Sequence, residues 1–197
     1  MQDLIVFSHL RWDFVYQRPQ HLMTRLGKFF RVFFFEEPLP CEGAAHVEIS
    51  RPAHNVWVCR PKTPHATAGF HDSQLPALRG LLDEVIQGHR ITDPVAWFYT
   101  PMALPLLHGF TPKAIVYDCM DELSAFLHAP RQLLQRENAL LKSADVVFTG
   151  GRSLYRAKQL RHPAVYCFPS SVERAHFAQA CDPLLDHAEQ RGLGHPR

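Results

Sequence analysis

Runs of consecutive apolar residues alternate along this chain with stretches whose apolar residues recur every three or four positions. Leu4-Ile5-Val6-Phe7 is a strand-length apolar run, and a polar and aromatic segment, 8–16, follows it. Gln17-Arg18-Pro19-Gln20-His21 then opens an amphipathic helix with Leu22, Leu26 and Phe29 at helical spacing. Pro19 suits the first turn, where an N–H has no helical partner to lose. A second apolar run, Val32-Phe33-Phe34-Phe35, ends in Glu36-Glu37-Pro38. The alternation continues with apolar runs at 56–59, 95–99, 114–117, 146–148 and 165–168. Helical patterns lie between them, over 72–89, 121–128, 130–142 and 152–160, with a short helix from Thr100-Pro101 to Leu107. Asp72 or Ser73 is placed to cap the first of these. Residues 38–54 hold Pro38, Pro40, Gly43 and Pro52 and read as a loop.

Strands that are apolar throughout mark a sheet covered on both faces, and intervening helices make it parallel. The expected fold is α/β, a Rossmann-like, doubly wound, mostly parallel sheet of about seven strands with helices on both faces. In such sheets ligands bind beyond the carboxyl ends of the strands. His9, Arg11, Trp12 and Asp13 lie there, directly after the first strand.

Composition narrows the function. A formal charge of +2 over 197 residues lacks the basic excess of a dedicated nucleic-acid binder. The thirteen histidines are scattered, with no His-Glu-x-x-His pattern and no zinc-type Cys/His pairs. Five cysteines at irregular spacing read as free thiols of a reducing compartment. No apolar stretch approaches the ~20 residues that span a bilayer, and no secretion signal is evident. A cytoplasmic location is expected, with room for contact at the inner face of a membrane.

Several segments together carry a family resemblance. They are Phe7-Ser8-His9-Leu10-Arg11-Trp12-Asp13-Phe14-Val15-Tyr16-Gln17-Arg18-Pro19-Gln20-His21-Leu22, Tyr99-Thr100-Pro101-Met102-Ala103-Leu104-Pro105, Val116-Tyr117-Asp118-Cys119-Met120-Asp121-Glu122-Leu123, Phe148-Thr149-Gly150-Gly151 and the stretch 167–177. Across residues 4–178 the chain resembles the amino-terminal domain of bacterial GT-B-fold glycosyltransferases of the family 1/family 4 type. These act in cell-envelope polysaccharide synthesis and include teichuronic-acid-type and galactopyranose-mutase-associated members. The stretch 167–177 resembles the segment leading from the first GT-B domain to the second.

The resemblance implies an acceptor-side domain over 1–178 and a linker over 179–197 towards a nucleotide-sugar-binding domain. It implies a nucleotide-sugar donor as co-substrate, no other cofactor, no metal, and a glycan or lipid-linked acceptor. An isolated half is then expected to bind donors weakly and turn over nothing. Asp118 is the catalytic candidate, to orient or deprotonate an acceptor hydroxyl; helix capping by Asp118 or Asp121 is the structural alternative. His9, Arg11, Trp12, Asp13, Gln17, Arg18, Tyr99, Asp121, Glu122, Gly150 and Gly151 are the substrate-binding candidates. Where many relatives carry a Gly-Gly turn this chain has Ser8-His9-Leu10-Arg11-Trp12, so Arg11 or Arg18 would have to supply a phosphate contact.

Some readings remain paired. Trp12 is a sugar-stacking platform or a core residue. Thr149-Gly150-Gly151 offers amides to an anion, or is a tight turn that needs glycine. Arg152, Arg156, Lys158 and Arg161 form a solvated face, or a patch for anionic lipid. Asp118-Cys119-Met120-Asp121-Glu122 lacks the Asp-x-Asp spacing of a metal-dependent transferase, and Gly-x-Gly-x-x-Gly is absent, which disfavours a nicotinamide enzyme. A non-catalytic Rossmann-like module that binds a sugar, an anion or a protein is the alternative function.

Overall fold

The computed structural model describes residues 1–181; segment 182–197, most of the expected linker, lies outside the described residues. The central strands are β1 (Gln2–Ser8), β2 (Phe30–Glu36), β6 (Val95–Phe98), β7 (Ala114–Cys119), β8 (Val146–Thr149) and β9 (Val165–Cys167), all parallel. Beyond β2 lie β3 (Leu39–Pro40), β4 (His46–Ala53) and β5 (Val56–Thr63). The nine-stranded sheet runs β3-β5-β2-β1-β6-β7-β8-β9, with β4 antiparallel to β5. Five helices accompany it among the described residues: α1 (Arg18–Leu26), α2 (Leu75–Gly88), α3 (Gln132–Ser143), α4 (Arg152–Lys158) and α5 (Arg174–Ala178).

The unbroken apolar character of β1 follows from its central place. Ile5 and Phe7 point into one apolar layer with Phe33, Phe35, Ala96 and Phe98, under α2, α3 and the 3-10 turn Pro101–Leu107. Leu4 and Val6 point into the other with Val32, Phe34, Trp97 and Tyr99, on the side that α1 covers through Leu22, Met23 and Leu26. Both faces of the strand are therefore dry, as alternating side chains of a doubly covered sheet require.

The α/β class and parallel core match the sequence reading, but four details do not. The sheet has two more strands than expected, because β3 and β4 lie in the stretch read as a loop. Its prolines are tolerated at the sheet margin: β4 is mostly exposed, and its register shifts between Ser50 and Ala53, beside Pro52. The helix expected over 121–128 is only a 3-10 turn, Leu123–Ala125. A 3-10 turn, Asp72–Gln74, leads into α2, and its cap is His71, which accepts the Ser73 N–H, rather than Asp72 or Ser73. Lastly, Lys158 does not join a solvated basic face.

The Lys158 ammonium is buried and donates to both oxygens of Glu122 at 2.9 Å and to Glu137 at 2.7 Å. Tyr117 Oη also donates to Glu137, and Arg161 reaches Glu137 and Asn138 on α3. Arg152, Arg156 and Arg161 stay exposed, and only Lys158 of that set is buried. The cluster ties α4, α3, β7 and the loop after β7. Removing one member leaves an uncompensated buried charge, so Lys158→Ala should cost about 3–5 kcal/mol in urea unfolding; a loss under about 1 kcal/mol would contradict the buried network.

Candidate functional site

Strand order reverses between β1 and β6, which flank each other while β2 continues the sheet on the other side of β1. This is the topological switch point, where an open α/β sheet forms its ligand crevice. Ser8 and His9 leave β1 there, Tyr99 and Thr100 leave β6, Glu36 and Glu37 leave β2, and Asp118 closes β7. The sequence reading therefore brings Arg11, Trp12, Asp13, Tyr99, Asp118 and Gly150 to the intended edge of the sheet.

Two buried polar side chains shape the loop after β1. Glu36, fully buried, accepts from the Trp12 backbone N–H at 2.7 Å, from Arg60 Nε at 2.9 Å and from Arg11 Nη1 at 3.4 Å. Arg60 also donates to Asp13 at 2.8 Å. Gln20, in the first turn of α1, donates to the carbonyls of Trp12 at 2.9 Å and Val15 at 2.8 Å, and accepts from the Gln17 N–H at 3.1 Å. The loop is thus fixed from both sides.

The cations proposed for phosphate have internal partners. Arg11 donates to the carbonyls of Glu37 and Pro38 as well as to Glu36. Arg18 grips the Asp118 carboxylate through Nε at 3.1 Å and Nη2 at 2.9 Å, and donates to the Phe168 carbonyl at 2.6 Å. Neither guanidinium is free for a diphosphate. Asp118 is fully buried beneath Arg18, so its carboxylate does not meet solvent. Burial pushes that carboxyl above its usual range, with Arg18 and then Tyr99 acting against the shift.

The paired readings resolve as follows. Trp12 is a core residue, buried edge-on against Phe34 with ring centres 5.1 Å apart, and is no exposed stacking platform. Neither Asp118 nor Asp121 caps a helix: α3 begins at Gln132 after Arg131, which makes no side-chain cap bond. Asp121 is exposed. Glu122 belongs to the Lys158 cluster, and its carboxyl is held below its usual range: burial opposes that, and Lys158 prevails. The N–H of Gly150 is already given to the Cys119 carbonyl at 2.9 Å, and a Cβ there would sit 3.1 Å from the Met120 carbonyl oxygen. Gly150 is needed for close approach, while Gly151 precedes a helix of only seven residues.

Sequence reasoning missed Glu36, Gln20 and Glu37. The two glutamates end an apolar strand, and a carboxylate at the carboxyl end of a central strand was the available signal. Glu37 lines a cleft of about 460 Å³ with His9, Thr100 and the apolar side chains of Leu123, Phe126 and Leu133. Burial raises its carboxyl to about 7, against the pull of Arg11. Burial likewise lowers the His9 imidazole, with Asp121 and the Tyr99 backbone opposing. His9 Nδ1 is buried without a hydrogen-bond partner among the described residues, and the Tyr99 hydroxyl is buried beside Asp118. Burial raises the Tyr99 phenol far above its usual value, and Asp118 adds to the shift.

Among the described residues no three His, Cys, Asp or Glu side chains are grouped to hold a metal ion. No helix among them is long and apolar enough to cross a membrane. The five thiols are free; burial raises Cys59 to about 12 and Cys119 to about 11.

No family model matches the chain, and no curated protein matches it. Solved structures do match. One is a sucrose-phosphate synthase from Thermosynechococcus elongatus, at 12% identity and TM-score 0.63, covering 93% of this chain and 53% of that one. Another is described as trehalose-6-phosphate from E. coli bound with UDP-2-fluoro glucose, at 13% identity and TM-score 0.55, covering 93% and 52%. A third is a trehalose-6-phosphate synthase, OtsA, at 13% and 0.55, covering 98% and 54%. The chain spans about half the length of these proteins. They are GT-B glycosyltransferases, and the fold described above is that of one Rossmann-like half.

The Glu37 carboxyl gives a signed pH dependence. It holds its proton up to about 7 in the folded chain but only to about 4.5 when unfolded. Its contribution to stability is complete below the unfolded value and is lost as pH rises through about 7. Glu37→Gln removes that loss. Its stability relative to the parent chain should rise by up to about 3 kcal/mol between pH 4.5 and 8 in urea unfolding. A difference that stays flat with pH would contradict the assignment.

Proposed function

We propose that this chain is the acceptor-side half of a GT-B glycosyltransferase. The complete enzyme moves a sugar from a nucleotide-sugar donor to a hydroxyl of a glycan or lipid-linked glycan in cell-envelope polysaccharide synthesis, at the inner face of the membrane. One observation carries the reading. The guanidinium groups at the crevice edge, Arg11, Arg18 and Arg60, are bound to internal carboxylates and carbonyls, while His9 keeps a buried ring nitrogen without a partner among the described residues. An edge without a free guanidinium suits a neutral, hydroxyl-bearing acceptor better than a diphosphate. Holding the donor diphosphate then falls to the other half of the enzyme, by cations or helix N-termini.

Within this reading Asp118 is a positioning residue. It acts through Arg18, which it fixes between β7 and the Phe168 carbonyl after β9. Arg18 in turn starts α1 and so sets the angle at which the loop after β1 enters the crevice. The exposed Phe126 and Leu127 on the loop after β7 agree with an acceptor that has an apolar part.

Calorimetry on this chain with UDP-, GDP- and dTDP-glucose should give no dissociation constant below about 1 mM. Joined in frame to a donor-binding half, the chain should transfer sugar, and Arg18→Ala should lower turnover at least about tenfold. Micromolar donor binding by the chain alone would contradict the division of labour. Absence of transfer by the joined protein with all three donor classes would favour the binding-module alternative.

A further inference from the structure

The sheet ends at β9, the third strand beyond β6 and outside the crevice. Among the described residues β9 pairs with β8 alone, so its other edge is open. The Ala164 carbonyl and the Phe168 N–H bond to Val147 and Thr149 of β8, and the Tyr166 carbonyl accepts from Thr149 Oγ1. Successive backbone groups along a strand alternate in direction, so the N–H and C=O groups of Val165 and Cys167 point outward. Helix α4 packs against β8 and β9, with Leu154 turned to the core. Its flank, Arg152, Tyr155, Arg156 and Gln159, forms a groove of about 510 Å³ with Cys167 and Pro169.

The groove is positively charged. From Val146 to Val172 the chain holds no Asp or Glu, against Arg152, Arg156, Lys158 and Arg161. Lys158 and Arg161 are bound to Glu137. Arg152 and Arg156, one helical turn apart, are exposed and make no hydrogen bond or ion pair among the described residues. The crevice guanidiniums Arg11, Arg18 and Arg60, by contrast, all have internal partners. On the opposite face of β9, Tyr166 is 53% exposed and neighbours Phe148, which also meets Phe168. A strand laid along β9 places alternate side chains on these two faces. One set meets Arg152 and Arg156, and the other meets Tyr166 and Phe168.

We infer that the open edge of β9, beside α4, takes an extended acidic segment of a partner protein, which adds to the sheet as a further strand. The segment's backbone pairs with the outward groups of Val165 and Cys167. Its acidic side chains, two residues apart, reach Arg152 and Arg156, and the apolar residue between them lies on Tyr166. Backbone pairing supplies affinity, and the alternation of side chains supplies selectivity. An anionic lipid surface or a nucleic acid also answers two guanidiniums, but neither offers a row of amides to a strand edge. The inference is independent of the transferase reading and stands or falls without it.

The probe is the peptide acetyl-Thr-Glu-Val-Glu-Val-Thr-amide, titrated into the 197-residue chain while NMR follows the backbone amides. Saturable shifts at Val165 and Cys167 are expected, with hydrogen exchange of both amides slowed at least about fivefold at saturation. Methylating the backbone nitrogens of both Glu or of both Val residues distinguishes the two edges of the bound peptide: one pair of methyls abolishes binding and the other is tolerated. Acetyl-Thr-Thr-Glu-Glu-Val-Val-amide, of the same composition and charge, should bind at least about fivefold more weakly. Arg152→Ala combined with Arg156→Ala should weaken the alternating peptide at least about fivefold, and both positions are exposed, so folding is undisturbed. The inference is overturned if the permuted peptide binds as tightly, if the double variant keeps full affinity, or if Val165 and Cys167 exchange as slowly as Val6 before any peptide is added. It is overturned too if phosphatidylglycerol vesicles protect those two amides and the peptide does not.

Discussion

A carboxylate buried at the end of β2 organises the crevice. Glu36 is fully shielded from solvent, and its charge is held by the Trp12 N–H, Arg60 and Arg11. A charge taken out of water is tolerable only where donors replace its hydration. Satisfying Glu36 therefore dictates the path of the loop after β1. Trp12 turns down onto Phe34, Arg11 reaches across to the carbonyls of Glu37 and Pro38, and Arg60 pins Asp13. His9 is left at the switch point, with Glu37 across the cleft.

Other polar anchors extend the same frame. Gln20 holds the loop from the helix side, Arg18 and Asp118 join α1 to β7, and Lys158 holds Glu122 and with it the start of the loop after β7. Each anchor is a charge or amide with its partners in place. His9 Nδ1, buried without a partner among the described residues, belongs to the side chain that lines the cleft together with Glu37.

How much of this was legible in the sequence depends on which signal carried it. The sheet was, because strands such as Val32-Phe33-Phe34-Phe35 are apolar on both faces and few other structures accept that pattern. The gathering of His9, Tyr99 and Asp118 at one edge of the sheet was, because all three follow or close parallel strands at their carboxyl ends. Strand β4 was not: His46–Ala53 is polar and contains a proline, and it pairs only at the sheet margin. Roles were harder to read than places. Arg11, Arg18 and Lys158 looked like available cations, yet each has a carboxylate partner far away in sequence, at Glu36, Asp118 and Glu137. Residue type announces a charge, and only three-dimensional pairing shows whether that charge is free. Trp12 posed the same difficulty, since an aromatic beside Arg11 and Asp13 looks the same in sequence whether it faces a ligand or Phe34.

The most direct test is amide hydrogen exchange at Trp12 in the Glu36→Ala chain. The account predicts that the Trp12 N–H, protected in the parent chain by its bond to Glu36, exchanges at least about tenfold faster in the variant, while the Val6 amide in central β1 keeps more of its protection. Exchange of the Trp12 amide at the parent rate, with Val6 unchanged, would contradict the claim that Glu36 holds the crevice loop in place.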